Sequence, residues 1–183
     1  MEHTSPSPTA ISPTARIFPT ARIVHDGTNL TIGDHTHVDD FVFIYAGLGC
    51  RLGRFVHVAS FTSVIGGGTL VMEDFSGLSA GCRVVTGTDD FTGPFLHTPG
   101  VPRELRNVQV SHVTIGKSVL VGTNVVILPG VTIGEGAAVA AGSIVRRDLA
   151  PWGVYGGEPL RRIGERAREG ILEKRRLALE RLA

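Results

Sequence analysis

The sequence has little of what usually fills a protein core or cross-links a small fold. Aromatic residues make up 6% of the 183 residues, and there are two cysteines, Cys50 and Cys82. These cysteines lie far apart and outside any CxxC or Cys/His metal spacing, so their pattern suggests neither a disulfide scaffold nor a zinc site. Something other than bulky rings and cross-links must therefore hold the interior together.

Charge bias and long apolar runs are also missing. The formal net charge of +1 gives no reason to expect a nucleic-acid partner. No apolar run approaches the roughly 18 residues of a membrane span, and the N-terminus lacks the basic and apolar regions of a signal peptide. We therefore predict one soluble, cytoplasmic domain with no membrane span, preceded by a flexible N-terminus at residues 1–10.

What the sequence does have is a repeat of six residues. A period of six fits neither a helix nor a single strand, but it fits short strands separated by corners. Three such sides make a triangular turn of about 18 residues, with turns stacked about 4.8 Å apart. Small aliphatic anchors can fill such a narrow prism without aromatic rings, and glycine suits its corners. The longest run of anchors, each six positions after the last, is Ile115, Val121, Ile127, Ile133, Val139 and Val145.

The repeated pattern [Leu/Ile/Val]-[Gly/Ala]-x-x-[small]-x resembles the hexapeptide-repeat family, whose fold is a left-handed parallel β-helix. The resemblance implies about six triangular coils over residues 11–150, an extruded loop at residues 88–112, and a C-terminal tail and helix at residues 151–183. The handedness comes from the resemblance alone, because parallel crossovers usually favour right-handed connections.

The end of the chain changes character after the repeat. We expect Pro151 to stop the strand pattern, because proline lacks the N–H that a sheet needs. From Leu160 onward, apolar residues mixed with charges indicate a helix, with interruptions near Gly164 and Gly170. We predict that this helix covers the open end of the coil, and a phosphate-binding contribution from its first residues is the alternative.

Two motifs near the end of the coil resemble the acyltransferase branch of the family. They are SIVRRD at residues 143–148 and Gly-x-Pro-x-Arg-x-Ile at residues 157–163. The resemblance implies an enzyme that uses acetyl-CoA as co-substrate, bound in a cleft between the subunits of a homotrimer. The positions that match CoA contacts are Thr123 and Ala141 for the pantetheine arm, and Arg147 and Arg161 for the phosphates, which a planar guanidinium suits.

Acyl transfer needs a base, and histidine is the natural one. His37 and His57 follow their anchors by the same five residues, so they should stack one turn apart with Gly77 next in the column, provided that residues 50–51 bulge outward. The stretch GRFVHVASFTSVIGGG also resembles sugar O-acetyltransferases of this family. We predict that His57 is the general base and that His37 contacts the acceptor. A pair of solvated corner histidines is the alternative.

The stretch TDDFTGPFLHTPGVP, residues 88–102, interrupts the repeat. A loop that protrudes from a rigid coil is a common place for function. Relatives with a similar loop usually have no histidine where His97 stands, so His97 is the second candidate for the base, and a contact with the acceptor is its alternative role. Asp89 and Asp90 match the loop motif and are predicted to bind the acceptor; an acidic turn without chemistry is the alternative.

Together these features predict a CoA-dependent O-acetyltransferase that acts by direct transfer on a hydroxyl of a sugar or sugar nucleotide. N-acetylation of an amino sugar and a noncatalytic β-helical scaffold are the alternatives. A zinc carbonic anhydrase on the same coil is disfavoured, because no histidine-rich stretch accompanies the coils after the loop. No metal is expected.

Overall fold

The computed structural model of this chain describes residues 8–182. His3 and most of the segment predicted to be flexible, residues 1–10, lie outside the described residues. The chain forms short strands followed by a helix, α1 (Arg168–Leu182). Within the described residues the strands are β1 (Ala10–Ile11), β2 (Arg16–Ile17), β3 (Arg22–Val24), β4 (Leu30–Ile32), β5 (His37–Val38), β6 (Phe43–Tyr45), β7 (Gly49–Leu52), β8 (His57–Val58), β9 (Ser63–Ile65), β10 (Thr69–Met72), β11 (Gly77–Leu78), β12 (Arg83–Val85), β13 (Gly87–Thr88), β14 (Gln109–Val110), β15 (His112–Ile115), β16 (Leu120–Val121), β17 (Val126–Ile127), β18 (Thr132–Ile133), β19 (Ala138–Val139), β20 (Ile144–Val145), β21 (Gly153–Gly156) and β22 (Arg161–Glu165).

Successive strands belong to three different parallel sheets, which form the faces of a triangular prism. The first face contains β1, β4, β7, β10, β15 and β18, the second contains β2, β5, β8, β11, β16, β19 and β21, and the third contains β3, β6, β9, β12, β17 and β20. The predicted left-handed parallel β-helix is confirmed, with about seven turns rather than about six.

The core is a stack of aliphatic side chains, one layer per turn. All six anchors of the run from Ile115 to Val145 are buried, as are Ile32, Leu52 and Met72 in the earlier turns. Each fully buried aliphatic side chain of this size contributes about 1.5–3 kcal/mol. The repeat therefore explains how a chain poor in aromatic residues builds a continuous core.

Turn length differs between the two halves of the coil. Ile32 pairs with Leu52, twenty positions on, whereas Ile115 pairs with Ile133, eighteen positions on. The additional residues of the longer turns lie at the edge between the third and first faces. The predicted bulge at residues 50–51 is wrong, because Cys50 is buried within a regular strand.

The tail continues the sheet before it becomes helical. Pro151 does not end the strand pattern, because β21 pairs in parallel with β19 and extends the second face. Residues 161–165, predicted to be helical, form β22 antiparallel to β21. Gly157 has φ +87 at the turn of this hairpin, a conformation that suits glycine and reverses the chain. Gly170 lies inside α1 without interrupting it.

The helix lies along the side of the coil and not over its open end as predicted. Nη1 of Arg166 donates hydrogen bonds to the carbonyls of Ser118 (2.7 Å) and Gly136 (3.2 Å) at the edge between the first and second faces. Nη1 of Arg175 contacts Glu135 Oε1 at 2.6 Å. The β21–β22 hairpin sends the chain back along this edge, which explains the placement of the helix.

A ladder of stacked rings forms the surface that the end of α1 approaches. His35 stacks on Phe55 with ring centroids 5.0 Å apart, and Phe55 stacks on Phe75 at 4.7 Å. Leu179 and Leu182 of α1 line a small pocket with His35 and Phe55. The aromatic residues of this chain therefore help to seat the helix on the outside of the coil.

Candidate active site

The histidine column predicted from the repeat is present on the second face. His37 of β5 pairs with His57 of β8, and His57 pairs with Gly77 of β11. Both imidazoles point outward and are exposed. The register thus brings the two histidines together in neighbouring turns, as the common position in the repeat indicated.

His57 has a partner that the sequence analysis missed. The carboxylate of Asp39 lies 2.9 Å from Nε2 of His57, with the two side chains 27% and 54% exposed respectively. Asp39 follows His37 by two residues, so its side chain projects from the same side of the strand as that of His37. The pair could have been found by comparing each outward-facing residue with the residues two positions away in the neighbouring turn.

His37 itself has no side-chain hydrogen bond or ion pair within the described part of the chain, although it lies directly below His57 in the column. The acceptor contact predicted for it stays a prediction. Of the two stacked histidines, only His57 is held by a carboxylate.

The glycine-rich turn after β9 forms the base from which the loop extends. A side chain at Gly66 would overlap the backbone of Gly87, and one at Gly68 would overlap the carbonyls of Thr86 and Ser111. Thr86 Oγ1 donates to Ile65 O at 2.9 Å and accepts from Gly68 N at 3.0 Å. Glycine is therefore required here by close backbone approach, and the two ends of the loop are fixed to the coil.

The interruption folds into a loop with its own pocket. Strands β13 and β14 form an antiparallel pair at its base. Beyond them, a pocket of about 330 Å³ combines two carboxylates, two phenyl rings and an imidazole. The lining residues are Asp89, Asp90, Phe91, Phe95 and His97.

The two adjacent aspartates of the loop differ in what they contact. Asp90 accepts hydrogen bonds from Gly93 N (2.7 Å), Thr92 N (3.2 Å) and Asn107 Nδ2 (3.2 Å), which hold the pKa of this carboxyl below its usual range. The carboxylate of Asp89 makes no hydrogen bond or ion pair within residues 8–182. Asp90 therefore builds the turn, and Asp89 is available to a ligand.

Within one chain, the loop and the His57–Asp39 pair lie on different sides of the prism. The loop leaves the third face after β12 and returns to the first face at β15, whereas His57 belongs to the second face. In a prism with three faces, the edge between the third and first faces lies opposite the second face. His57 and the loop residues Asp89, Asp90 and His97 are thus not brought together by the topology of a single chain.

The residues matched to CoA contacts lie toward the C-terminal end of the coil. Thr123 and Ala141 occupy the edge between the second and third faces one turn apart, and Gly142 N donates to Thr123 O at 2.8 Å. Arg147 lines a pocket of about 200 Å³ that also contains Glu158. Arg161 is exposed on β22 nearby.

Cysteine chemistry has no visible place in this arrangement. Burial raises the pKa of the Cys50 thiol to about 12, and burial also raises the pKa of the Cys82 thiol. Both thiols therefore stay protonated near neutral pH and are poor nucleophiles. Among residues 8–182, no group of three or more His, Cys, Asp or Glu side chains is arranged to hold a metal ion. In the same part of the chain, no helix has the length and apolarity to cross a membrane.

Comparison with known proteins agrees with this architecture. A family model described as bacterial transferase hexapeptide (six repeats) matches residues 112–147. The chain is 32% identical over 142 residues to the dTDP-4-amino-4,6-dideoxy-D-glucose acyltransferase of Escherichia coli, covering 77% of this chain and 74% of that enzyme. It is also 32% identical over 145 residues to the galactoside O-acetyltransferase of Escherichia coli, covering 74% of this chain and 63% of that enzyme.

Solved structures extend the similarity to almost the whole chain. A variant of AntD, an N-acyltransferase from Bacillus cereus, in complex with dTDP and coenzyme A, superposes with a TM-score of 0.85 at 32% identity. The match covers 95% of this chain and 92% of that one. Because the repeat, the coil and these relatives agree over most of its length, this chain is an acyltransferase that belongs to the hexapeptide-repeat transferase family.

Proposed function

We propose that this protein transfers an acyl group from a CoA thioester to the amino group of a nucleotide-linked amino sugar. The observation that carries the proposal is the similarity over 95% of the chain to AntD, an N-acyltransferase whose complex holds dTDP and coenzyme A. The Escherichia coli relative named for a dTDP-linked amino sugar supports the same acceptor class. The amine thus takes precedence over the hydroxyl that the sequence favoured.

The loop pocket supports an acceptor that carries an ammonium group. Asp89 has a free carboxylate in a pocket that it shares with Asp90 and two phenyl rings. A carboxylate attracts an ammonium group, and an aromatic face adds a cation–π contact or stacks on an apolar ring. In this proposal the loop selects the acceptor, with Asp89 and His97 as its contacts.

The acyl donor is assigned to the edge between the second and third faces. Backbone groups at Thr123 and Ala141 would hold the pantetheine arm, and Arg147 and Arg161 would pair with the phosphates. Glu158 lines the same pocket as Arg147, so its charge would weaken phosphate binding there, and Arg161 would carry more of the affinity. A chain that fails to bind CoA would instead fit the noncatalytic scaffold.

His57 is assigned as the general base. The acceptor reacts as the neutral amine, after its ammonium form has lost one proton to solvent, and the imidazole removes a second proton as the nitrogen attacks the thioester carbonyl. A carbon–nitrogen bond forms and the carbon–sulfur bond breaks, and the proton held by His57 can pass to the departing CoA sulfur. Backbone N–H groups in the cleft would stabilise the oxyanion, and no covalent intermediate is required.

A complete site requires more than one copy of the chain, because the loop and His57 lie on opposite sides of one prism. The third face supports association, since Phe43, Tyr45 and Ile65 are exposed there and Phe41 and Phe61 are exposed at its edge. Contiguous exposed apolar patches are typical of protein interfaces. We therefore assign a homotrimer in which the loop of one subunit reaches the second face of the next.

O-acylation of a sugar hydroxyl is the second candidate. The specific observation in its favour is the similarity to galactoside O-acetyltransferase over 74% of this chain. The same base and the same donor site would serve a hydroxyl. The two candidates differ only in the acceptor atom.

A matched pair of acceptors tests the function. Purified protein is incubated with acetyl-CoA and either a dTDP-linked 4-amino-4,6-dideoxy sugar or the same compound with a hydroxyl at that carbon, and release of free CoA is followed. We expect turnover of the amino compound at least about 100-fold above that of the hydroxyl compound, since a site built to bind a particular polar group of the substrate discriminates strongly against an analogue that lacks it. Preference for the hydroxyl compound would favour O-acylation. If neither compound caused release of CoA, the proposed acceptor class would be overturned.

Substitution of the base gives a second test. His57→Ala should lower kcat by about 10²- to 10⁴-fold, the usual contribution of a positioned base. The affinity for CoA, measured by calorimetry, should stay close to that of the wild type, because His57 is not among the residues assigned to bind CoA. Near-normal turnover would remove His57 from the mechanism and promote His97.

A further inference from the structure

We propose that Asp39 is a positioning residue that fixes the tautomer of His57, with the proton on Nε2 and the basic lone pair on Nδ1. The inference rests on the proposed role of His57 as the base. It adds a residue that no pattern in the sequence indicated and assigns the ring nitrogen that takes the proton.

The tautomer follows from the contact. An ionised carboxylate can only accept hydrogen bonds, and Oδ2 of Asp39 lies 2.9 Å from Nε2 of His57. Nε2 must therefore carry the hydrogen. In a neutral imidazole the other nitrogen then has the free lone pair, so Nδ1 is the atom that can accept a proton from an acceptor.

Asp39 differs from other aspartates at the edges of the coil. Asp74 accepts a hydrogen bond from the backbone N–H of Arg54 at 2.8 Å, and Asp40 accepts one from Thr20 N at 3.3 Å. Those carboxylates join neighbouring turns through the backbone. Among the described residues, the carboxylate of Asp39 forms its hydrogen bond and ion pair with the imidazole of His57 and with no other group.

Folding stability gives a weak reason for this pair. The imidazole is 54% exposed and the carboxylate 27% exposed, and ion pairs in such surroundings contribute little to stability because water and salt screen them. A hydrogen bond can nevertheless orient a ring, and a second residue that orients a catalytic histidine is a common device in enzymes.

The surroundings leave the other side of the ring accessible. Asp39 belongs to the turn before His57, and the turn after it presents Gly77. A Cβ at Gly77 would lie 3.8 Å from His57 O and 4.0 Å from His57 Cβ, which is ordinary contact. Glycine is therefore not needed there for backbone reasons, and its missing side chain leaves room beside the imidazole.

The test compares Asp39→Asn and Asp39→Ala with Asp40→Asn in the assembled protein. Asp40→Asn is the matched control. It removes the same charge from the next residue, whose carboxylate binds Thr20 and not His57. We expect both Asp39 variants to lower kcat by about 10-fold or more, with KM for either substrate changed by less than about 3-fold and the control near wild type. An asparagine at position 39 can still form a weak hydrogen bond with His57. The alanine variant is included because it removes that bond completely.

Two further readouts separate positioning from a structural role. Long-range ¹H–¹⁵N spectra of the His57 ring should show protonated Nε2 in the wild type and a mixture of tautomers in Asp39→Ala. In a His57→Ala background, Asp39→Ala should cause no additional loss of kcat, because residues that act as a unit are not additive. An unchanged tautomer, an unchanged kcat, or an equal loss in both backgrounds would overturn the proposal. Full activity of His57→Ala alone would instead overturn the assignment of the base.

Discussion

At the scale of single residues, two adjacent aspartates of the loop, Asp89 and Asp90, make different contacts. The carboxylate of Asp90 accepts hydrogen bonds from two backbone amides and from Asn107, whereas the carboxylate of Asp89 has no hydrogen bond or ion pair within the described residues. The sequence motif contains both carboxylates and cannot distinguish them, because the distinction depends on where the loop folds back. The structure favours Asp89 as the ligand contact.

This difference predicts opposite results for two substitutions. Asp90→Ala should increase hydrogen exchange at the amides of Thr92 and Gly93, since it removes their acceptor. Asp89→Asn should leave that exchange unchanged and raise KM for an amino-sugar acceptor by about 10-fold, because it removes a charge that faces the ligand. Increased exchange in Asp89→Asn, or an unaltered KM, would contradict the assignment.

The same residue gives the loop a pH dependence. The folded-state pKa of Asp90 is lowered, first by Gly93 N–H and then by Asn107 and Thr92. A carboxyl with a lowered folded pKa stabilises the folded state fully above its unfolded value, about pH 4, and this contribution is lost as the pH falls through the folded pKa. The exchange measurement repeated between about pH 5 and pH 3 should therefore show the wild-type loop approaching Asp90→Ala.

At the scale of elements, α1 is attached to the coil by a small number of polar contacts. The helix has no fully buried residue, so its apolar contacts alone hold it weakly. Arg166, just before the helix, reaches two carbonyls at the edge between the first and second faces. Arg175 adds an ion pair with Glu135. Placement of the helix thus depends on arginines of the tail that bind two backbone carbonyls and one carboxylate of the coil.

Removal of one of these contacts should loosen the helix. We predict that Arg166→Ala lowers the free energy of local opening of α1 by about 1.5 to 3 kcal/mol, the usual value for hydrogen bonds made by a charged group. Hydrogen exchange of the α1 amides measures this change. Arg176→Ala is the control, because within the described residues Arg176 forms its ion pairs with Glu173 and Glu180 of the same helix. Two such pairs are worth about 0.2–0.5 kcal/mol each, so the effect should stay below about 1 kcal/mol. Equal effects of the two variants would show that Arg166 does not anchor the helix.

At the scale of the whole molecule, the separation of His57 from the loop determines what the active unit can be. One coil presents His57 on its second face and the loop on the opposite edge. A coil of stacked turns is rigid along its axis, so a bend cannot bring the two together. If His57 and the loop form one site, as we propose, a neighbouring copy must supply one of the two.

Mixed oligomers test this directly. Copies that carry His57→Ala are refolded together with copies that carry both Asp89→Ala and His97→Ala, and each variant alone is expected to have low activity. If a site takes its base from one subunit and its loop from another, random mixing gives roughly a quarter of the sites two intact halves, and activity returns in that proportion. Oligomers shown by mass spectrometry to be mixed, yet inactive, would mean that each chain forms its own site.

Much of the fold could be predicted because a repeat is nearly one-dimensional. Each turn contacts the turns on either side, so the period fixes both the buried anchors and the register between strands. The pairing of His37 with His57, and of His57 with Gly77, followed from equal offsets within the repeat, although the turns there are longer than expected. The column of histidines stays in register because both longer turns contain the same number of additional residues at the same edge.

The sequence by itself determined the coil, its aliphatic core, the position of the interruption and the family, because all of these depend on local spacing and on short motifs. Only the tertiary structure decided that Asp39 holds His57, that Asp90 builds the loop while Asp89 stays free, and that α1 lies along the coil. Each of these depends on contacts between residues that are distant in the chain or differ only in their surroundings. No single repeat position encodes such contacts: Asp39 reaches His57 diagonally between neighbouring turns, and the others arise where the loop and the tail leave the repeat.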